Sequence, residues 1–595
     1  MGMNRPFLFL TLALLLASGP TAAAAGPNVV LVLVDDAGYG DLSCHGNPIL
    51  KTPHIDRLHG ESIRLTDFHV APMCTPTRGQ LLTGIDALRN GAMNVSSGRT
   101  LLRTGIPTLA DLFAAAGYRT GQFGKWHLGD NYPYRPQDRG FQQSMWFPSS
   151  HIPSAPDYFH NSYFDTWLRR ETGEIRQSQG YCTDVYFDEA LHFISDRKAA
   201  GEPFFVYLPL NAAHSPLLVP DKYRQAYADQ PDRVARFYGM IANIDENMGR
   251  LNALLDEKGL RDNTIVIYMT DNGGTVGVPV FNAGMRGHKT ELYDGGHRVP
   301  CFIRWPGGGL GPARDIGELT CAQDVLPTLA ELCGLKIPAD AHLDGASLAG
   351  LFRGTQPALA DRMLVVQYSR LNAPKPAKGD AAVMFHKWRL ILDNELYDIA
   401  ADPAQQHDGA DEHPEIVAKM REHYAHWWDA IEPTVNQFSA ITIGSDAENP
   451  TMLSPADWAD VFLDQSAQVR EGVQINGPWN VQVDRAGDYE VRLRRWPEES
   501  HLALGANDPD RVMRTDVNPS PGNKTDQMVP TKALPIARAR LKVGDQEQAI
   551  DVDPADQAVV FNLRLEPGRT QLQTWFYGPK GAELCGAYYV YVRRK

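Results

Sequence analysis

Two acidic pairs, Asp35-Asp36 and Asp271-Asn272, each follow a short run of branched apolar residues. Residues 28–34 (NVVLVLV) lead into the first pair and residues 264–269 (TIVIYM) toward the second. Three carboxylates and an amide oxygen make an all-oxygen donor set, which suits Ca2+ or Mg2+ and not zinc. In a continuing strand Asp35 and Asp36 would point to opposite faces, so a turn at Ala37-Gly38 is needed to bring both to one point. Either pair alone reads more simply as loop acids capping the next segment. Two pairs at equivalent strand ends favour a metal site.

Residues 73–84 (MCTPTRGQLLTG) place Cys74 at the start of a helix. Thr75 suits the N-cap, Pro76 the first helical position and Gly84 the residue after the last turn. Residue 74 then sits at the positive helix end, beside free N–H groups, with Arg78 able to reach back to it. Such surroundings lower a thiol's pKa and make it reactive; a buried structural cysteine is the plainer alternative. Lys125 and His127, two apart, share one side of an extended segment with Trp126 opposite. His214 follows a third apolar run, residues 204–210 (FFVYLPL), and Lys289 lies within residues 286–300 (RGHKTELYDGGHRVP). Taken singly, each of these is more often structural or merely solvated.

The elements that must position these groups are strands alternating with helices, the latter at residues 107–116 and 236–257. That alternation implies an α/β fold, a mainly parallel sheet flanked by helices, with ligand sites at the carboxyl ends of the strands. Strands at 388–392 and 395–397 with a helix at 413–428 form a small α+β subdomain. Helical periodicity fades after residues 458–464. Alternating strands then appear at 481–483, 489–495, 559–565, 571–576 and 588–592, an appended β-sandwich. The expected organisation is a leader at 1–25, a catalytic domain at 26–355, the α+β subdomain at 356–438 and the sandwich at 439–595.

A chain of 595 residues is long enough for two or three domains, and its net charge of −14 argues against nucleic acid as a partner. Arg5, the apolar core at residues 7–17 and the small residues at 18–25 form a secretory leader, cleaved near Ala24 or Ala25. The apolar run is too short to span a bilayer comfortably, and no later stretch is long enough, so an exported chain without stable membrane insertion is expected. Seven cysteines, none in a CxxC pair, leave one over in an oxidising compartment, and their pairing stays open.

Cys74-Thr75-Pro76-Thr77-Arg78, continuing to Leu82-Thr83-Gly84, resembles the first signature of the type I sulfatases, C-x-P-S-R-x-x-x-L-T-G. Gly117-Tyr118-Arg119-Thr120, leading to Gly124-Lys125-Trp126-His127, resembles the second. With the acid pairs, "TPHIDRL" and "ELYDIAADP", the likeness spans about residues 27–435. It implies the alkaline phosphatase-like sulfatase fold. It implies that a formylglycine-generating enzyme oxidises Cys74 to Cα-formylglycine, whose aldehyde hydrates to a diol that attacks sulfur. It also implies Ca2+ in preference to Mg2+, held by Asp35, Asp36, residue 74, Asp271 and Asn272.

In the same resemblance Arg78 holds the diol, Lys125 and Lys289 hold the sulfate oxygens, and His214, with Lys289, protonates the leaving alcohol. His127 takes a proton from the remaining hydroxyl, so that the hemiacetal sulfate collapses to aldehyde and sulfate. Fixed cations suit the charge that develops on the ester oxygens. Thr77, Phe123, His54, Asp294 and Gln142 depart from the family pattern, and none removes a proposed catalytic group.

The implied function is an exported sulfuric ester hydrolase acting on carbohydrate sulfate. The alternatives are a phosphonate monoester or phosphodiester hydrolase of the same superfamily, which can share CxPxR, and a non-catalytic glycan-binding protein. The complete residue set argues against the latter. Residues 132–139 (YPYRPQDR) and 151–160 read equally as substrate-facing stretches and as ordinary polar surface loops. Arg492, Arg494, Arg495 and Trp496 read as a solvated strand face, with anionic-glycan contact as the alternative. The sequence leaves the glycan and the oligomeric state open.

Overall fold

Asn28–Val34 is a strand buried along its whole length. Both of its faces are covered, which is why its sequence shows no polar alternation. Val30, Val32 and Val34 join one core cluster, whereas Val29, Leu31 and Leu33 join another, so the sheet lies between two cores. In this computed structural model, which describes residues 26–510 and 531–595 together with the short strands Val512–Met513 and Met528–Val529, the leader at 1–25 lies outside the described residues.

Asn28–Val34 pairs in parallel with Phe204–Pro209 and with Thr264–Thr270. Arg119–Lys125 and Gln143–Phe147 extend the parallel centre. Antiparallel strands at both margins, among them Cys301–Arg304 and Trp167–Arg170, complete a ten-stranded mixed sheet. The helices Cys182–Ala200 and Asp232–Glu257 cover one face, and Leu109–Ala115 and Val325–Cys333 the other. The register sets Val34 beside Thr270, so the two acidic pairs leave the sheet side by side.

Leu364–Gln367, Ala381–Phe385, Trp388–Ile391 and Glu395–Asp398 form an antiparallel sheet packed against the helix Pro414–Val435, which runs beyond the expected 413–428. Two further sheets follow. One contains Trp479–Val483, Gly568–Tyr577 and Arg538–Val543; the other contains Tyr589–Arg594, Gly487–Arg494 and Val559–Leu565. Alternate residues of Val559–Leu565 are buried, and one apolar core joins the two sheets. That core also takes in Leu101, Tyr134 and Ala155 of the larger unit.

The helical reading of 458–464 is corrected. The helical pieces are the turn Pro455–Asp457 and the helix Ser466–Glu471, and Trp458 and Leu463 anchor the stretch between them in the sandwich core. All seven cysteines are free thiols. No helix among the described residues is long and apolar enough to cross a membrane.

Candidate active site

The chain turns directly after the strand Asn28–Val34. Asp36 adopts a left-handed conformation, φ 59°, which swings its carboxylate round to the side of Asp35. Non-glycine residues enter that region at a cost and gather at functional sites. From the neighbouring strand, Asp271 Oδ1 accepts the Asp36 backbone N–H at 3.3 Å. Asn272 donates its amide to Asp36 Oδ1 at 3.0 Å and turns its Oδ1 to Cys74 Sγ at 3.3 Å. Cys74 Sγ is also 3.3 Å from Asp35 Oδ1. Ligand atoms of Asp35, Asp36, Cys74 and Asp271 all lie within 4.8 Å of one another. The structure thus gathers the five expected metal-site residues, and the hard oxygens of Asp35, Asp36, Asp271 and Asn272 fit Ca2+ or Mg2+.

The helix carrying the cysteine runs Cys74–Thr83, preceded by Met73 in extended conformation and followed by Gly84 at φ 69°. Thr75 is not its cap: residue 74 itself opens the helix, and Thr75 Oγ1 has no hydrogen-bond partner among the described residues. The hydroxyl of Thr77 has a clear use, accepting from Ala71 N at 3.0 Å and donating to Ala71 O at 3.2 Å.

The expectation of a lowered thiol pKa is overturned. Burial, then the negative charges of Asp271 and Asp35, push the Cys74 thiol up beyond the influence of Lys125 and Lys289. The free cysteine is therefore a neutral thiol, not a thiolate nucleophile.

Three cations enter the same buried cluster. Arg78 donates to Asp271 Oδ2 through Nε and Nη2, and to the Lys125 carbonyl through Nη1. The Lys125 ammonium contacts Asp35, and Lys289 contacts Asp36. Lys289 Nζ is also 3.5 Å from Cys74 Sγ. Burial alone would raise the pKa of both acids, but Lys125 beside Asp35 and Lys289 beside Asp36 hold each below the usual carboxylate value.

Gly124 is required on the strand that delivers Lys125: its φ is 122°, and a Cβ there would lie 2.0 Å from the Pro209 carbonyl. Beyond Lys125 the strand ends, and His127 has φ 60°, so Lys125 and His127 reach the site by a turn and not by strand alternation. Trp126 does pack away into the core.

His127 Nε2 lies 2.9 Å from the Val95 carbonyl, which can only accept, so Nε2 carries the proton and Nδ1 the lone pair. Nδ1 is buried without a partner among the described residues. Burial and then Lys125 hold the ring well below the usual histidine pKa, hence neutral. His214 Nδ1 lies 2.7 Å from the Ser215 carbonyl and must likewise donate, which leaves Nε2 facing Asp36 Oδ2 at 3.7 Å.

Two members of the site escaped the sequence reading. His151 stacks on His214 with ring centroids 5.6 Å apart. It lay in a stretch read only as a substrate-facing or surface loop. Asp464, from the appended unit, bonds Ser150, and nothing in its sequence context marks it.

The other candidate stretches have settings that their sequence does not show. Within residues 132–139, Tyr134 donates to the Ala440 carbonyl and the Tyr132 backbone N–H to Glu448, so this loop docks against the appended unit. The basic-aromatic cluster is no solvated face. Arg494, Arg495 and Trp496 are buried, Arg495 donates to the Ala506 carbonyl, and Arg492 pairs with Glu498.

The family model for Sulfatase matches residues 27–335, more than half of the chain. The chain belongs to the sulfatase family. A second model, N-sulphoglucosamine sulphohydrolase, C-terminal, matches residues 287–428 of this sulfatase. The N-acetylgalactosamine-6-sulfatase of Canis lupus familiaris is 32% identical over 381 residues, covering 59% of this chain and 70% of the relative. Arylsulfatase A of Homo sapiens is 33% identical over 422 residues, covering 66% and 80%. Among solved structures, Ps i-CgsB in complex with k-i-k-neocarrahexaose is 26% identical with a TM-score of 0.61, covering 68% of this chain and 92% of that one. The chain is accordingly a sulfuric ester hydrolase with the alkaline phosphatase-like fold.

Proposed function

We propose that this sulfatase is exported and cleaves sulfate esters of carbohydrates, using a nucleophile derived from Cys74 by oxidation to Cα-formylglycine. The observation that carries the reading is the setting of residue 74. Its Sγ stands where the oxygens of a hydrated aldehyde would stand, between Asp35 Oδ1 and Asn272 Oδ1, each at 3.3 Å. A neutral buried thiol is a poor nucleophile there, whereas a hydrated aldehyde brings hydroxyls to the same point.

Asp35, Asp36, Asp271, Asn272 and residue 74 would hold Ca2+, with Mg2+ the lesser alternative. When bound, the ion supplies positive charge for a sulfate oxygen and for the attacking hydroxyl. Arg78 orients residue 74, and Lys125 and Lys289 receive the sulfate oxygens. His214, when protonated on Nε2 as well as on Nδ1, gives the Nε2 proton to the departing alcohol and returns to the ring that donates to Ser215. His127 offers the Nδ1 lone pair for the proton of the remaining hydroxyl.

A carbohydrate ester is supported by the relatives whose names specify N-acetylgalactosamine 6-sulfate and neocarrahexaose. Export is supported by the leader at 1–25, and a formylglycine-generating enzyme is the partner required during maturation. The domain limits 26–355, 356–438 and 439–595 belong to the same reading.

Two measurements test it. Conversion of Cys74 lowers the mass of its peptide by about 18 Da. The purified protein should also turn over a chromogenic aryl sulfate faster than the matching phosphate esters. Unmodified cysteine with no turnover in material from a converting host would overturn the formylglycine reading, and faster phosphorus-ester hydrolysis would overturn the sulfate assignment.

A further inference from the structure

The sandwich unit reaches the catalytic centre through one carboxylate. Asp464 is fully buried between the turn Pro455–Asp457 and the helix Ser466–Glu471. Its Oδ2 accepts the Ser150 hydroxyl at 2.8 Å, and Ser150 Oγ lies 2.7 Å from His151 Nδ1. A serine hydroxyl has one proton to give. Since that proton goes to Asp464, the second bond runs the other way, from His151 Nδ1–H to Oγ. The tautomer of the neutral ring is thereby set, with the lone pair on Nε2.

The ring held this way belongs to the active centre. It stacks on His214 with centroids 5.6 Å apart and planes 21° from parallel. Burial, and then the charges of His214, Lys125 and Lys289, hold its pKa far down, so it stacks on His214 as a neutral ring. Burial pushes Asp464 up to about 6 against the hydrogen bonds from Ser150 and Gln465 and the charge of Lys125, so it is a carboxylate at neutral pH.

The loop carrying Ser150 and His151 is itself fastened to the sandwich. Ala155 N donates to the Asp464 carbonyl at 2.6 Å, Ser466 Oγ donates to the Pro153 carbonyl at 3.1 Å, and Tyr589 donates to the Ala155 carbonyl at 2.7 Å.

We propose that Asp464, Ser150 and His151 form a positioning relay for sulfate-ester cleavage. The relay fixes His151 in one tautomer against His214 and so sets the ring that protonates the leaving alcohol. The appended sandwich then completes the catalytic centre and is not a detachable binding module. This rests on the sulfatase reading with His214 as proton donor.

A double-mutant cycle on the full chain tests it, with Ser150→Ala, His151→Ala and the double variant. Each is assayed on a sugar sulfate and on nitrophenyl sulfate, whose phenolate leaves without a proton. Ser150→Ala should lower kcat on the sugar ester about tenfold or more, leave KM within about twofold, and affect the nitrophenyl ester far less. The double variant should be no slower than His151→Ala alone, because residues acting in series do not add.

The relay is overturned if Ser150→Ala stays within about twofold of wild type, if it slows both esters equally, or if the two losses multiply. Wild-type protein with no sulfatase turnover would instead sink the enzymatic reading beneath it.

Discussion

Arg78 gives two hydrogen bonds to a single oxygen of Asp271, Oδ2, from Nε at 3.2 Å and from Nη2 at 2.7 Å. Both side chains are wholly buried. The other oxygen, Oδ1, is left toward the Asp36 backbone N–H and the cluster of acids. One carboxylate thus serves as a counter-ion on one side and faces the acid cluster on the other.

Arg78→Ala should be severe for the fold as well as for turnover. It strands a buried carboxylate, and losing one member of a buried pair costs about 3–5 kcal/mol. A urea melt should show the loss directly. Arg78→Lys should fall between the two, since an ammonium keeps the charge but not the two-pronged geometry. Wild-type stability in Arg78→Ala would show that the pair is not held as described.

Asp271→Asn keeps the shape and should fold, while turnover drops about a hundredfold or more. Asp271→Ala is a harsher change than the sequence suggests. It removes the acceptor of Arg78, whose next carboxylate, on Asp35, is 3.6 Å away, so a lower melting temperature should accompany the loss of activity. Near-normal rates in a folded Asp271→Asn protein would contradict the metal site.

Chelation should abolish turnover without unfolding the protein. The buried carboxylates of Asp35, Asp36 and Asp271 face Arg78, Lys125 and Lys289, so the chain's own charges balance. Protein treated with a chelator should keep a cooperative melt, and Ca2+ should restore activity better than Mg2+. Equal restoration by both ions would remove the preference for Ca2+.

His214→Ala should discriminate between leaving groups. On a sugar sulfate the loss should reach about a hundredfold or more, and on nitrophenyl sulfate much less. A uniform loss on both esters would move the acid role elsewhere, with Lys289 next in line.

Stability should fall from mildly acidic to mildly alkaline pH, in part because of Asp457 at the junction between the units. Burial, and then the nearby Asp130, push its pKa up to about 8. In the unfolded chain it ionises near pH 4, so the folded form is favoured at low pH and loses that advantage as pH rises toward about 8. Asp457→Asn should therefore show a smaller drop in melting temperature between about pH 5 and about pH 8 than wild type. An identical drop in both proteins would remove Asp457 as the cause.

The parts of the fold that read cleanly from sequence are those in which local pattern and burial agree. Asn28–Val34 and Val559–Leu565 have the expected limits, one through an unbroken apolar run and the other through alternation. The acid pairs were legible because strand ends and polar residues coincide. What stayed hidden depends on contacts between distant segments. The thiol at 74 looked activated by its helix end and Arg78, but Asp35 and Asp271 arrive from strands far away in sequence and reverse the sign. Arg495 and Trp496 looked solvated because burial of an arginine beneath backbone carbonyls has no local signature. Ser150, which links Asp464 to His151, lies 314 positions from Asp464, a distance that spacing alone does not bridge.

The side chain of residue 74 is 1% exposed, at the base of a helix that is buried throughout. No second enzyme can draw that residue into its own active site while the sheet, the helix and the three cations are assembled around it. If Cys74 is oxidised, the oxidation has to come first, on a chain still open at residues 73–84. Under the proposed conversion, a chain that folds first would keep its thiol and its shape and would lack the proposed nucleophile.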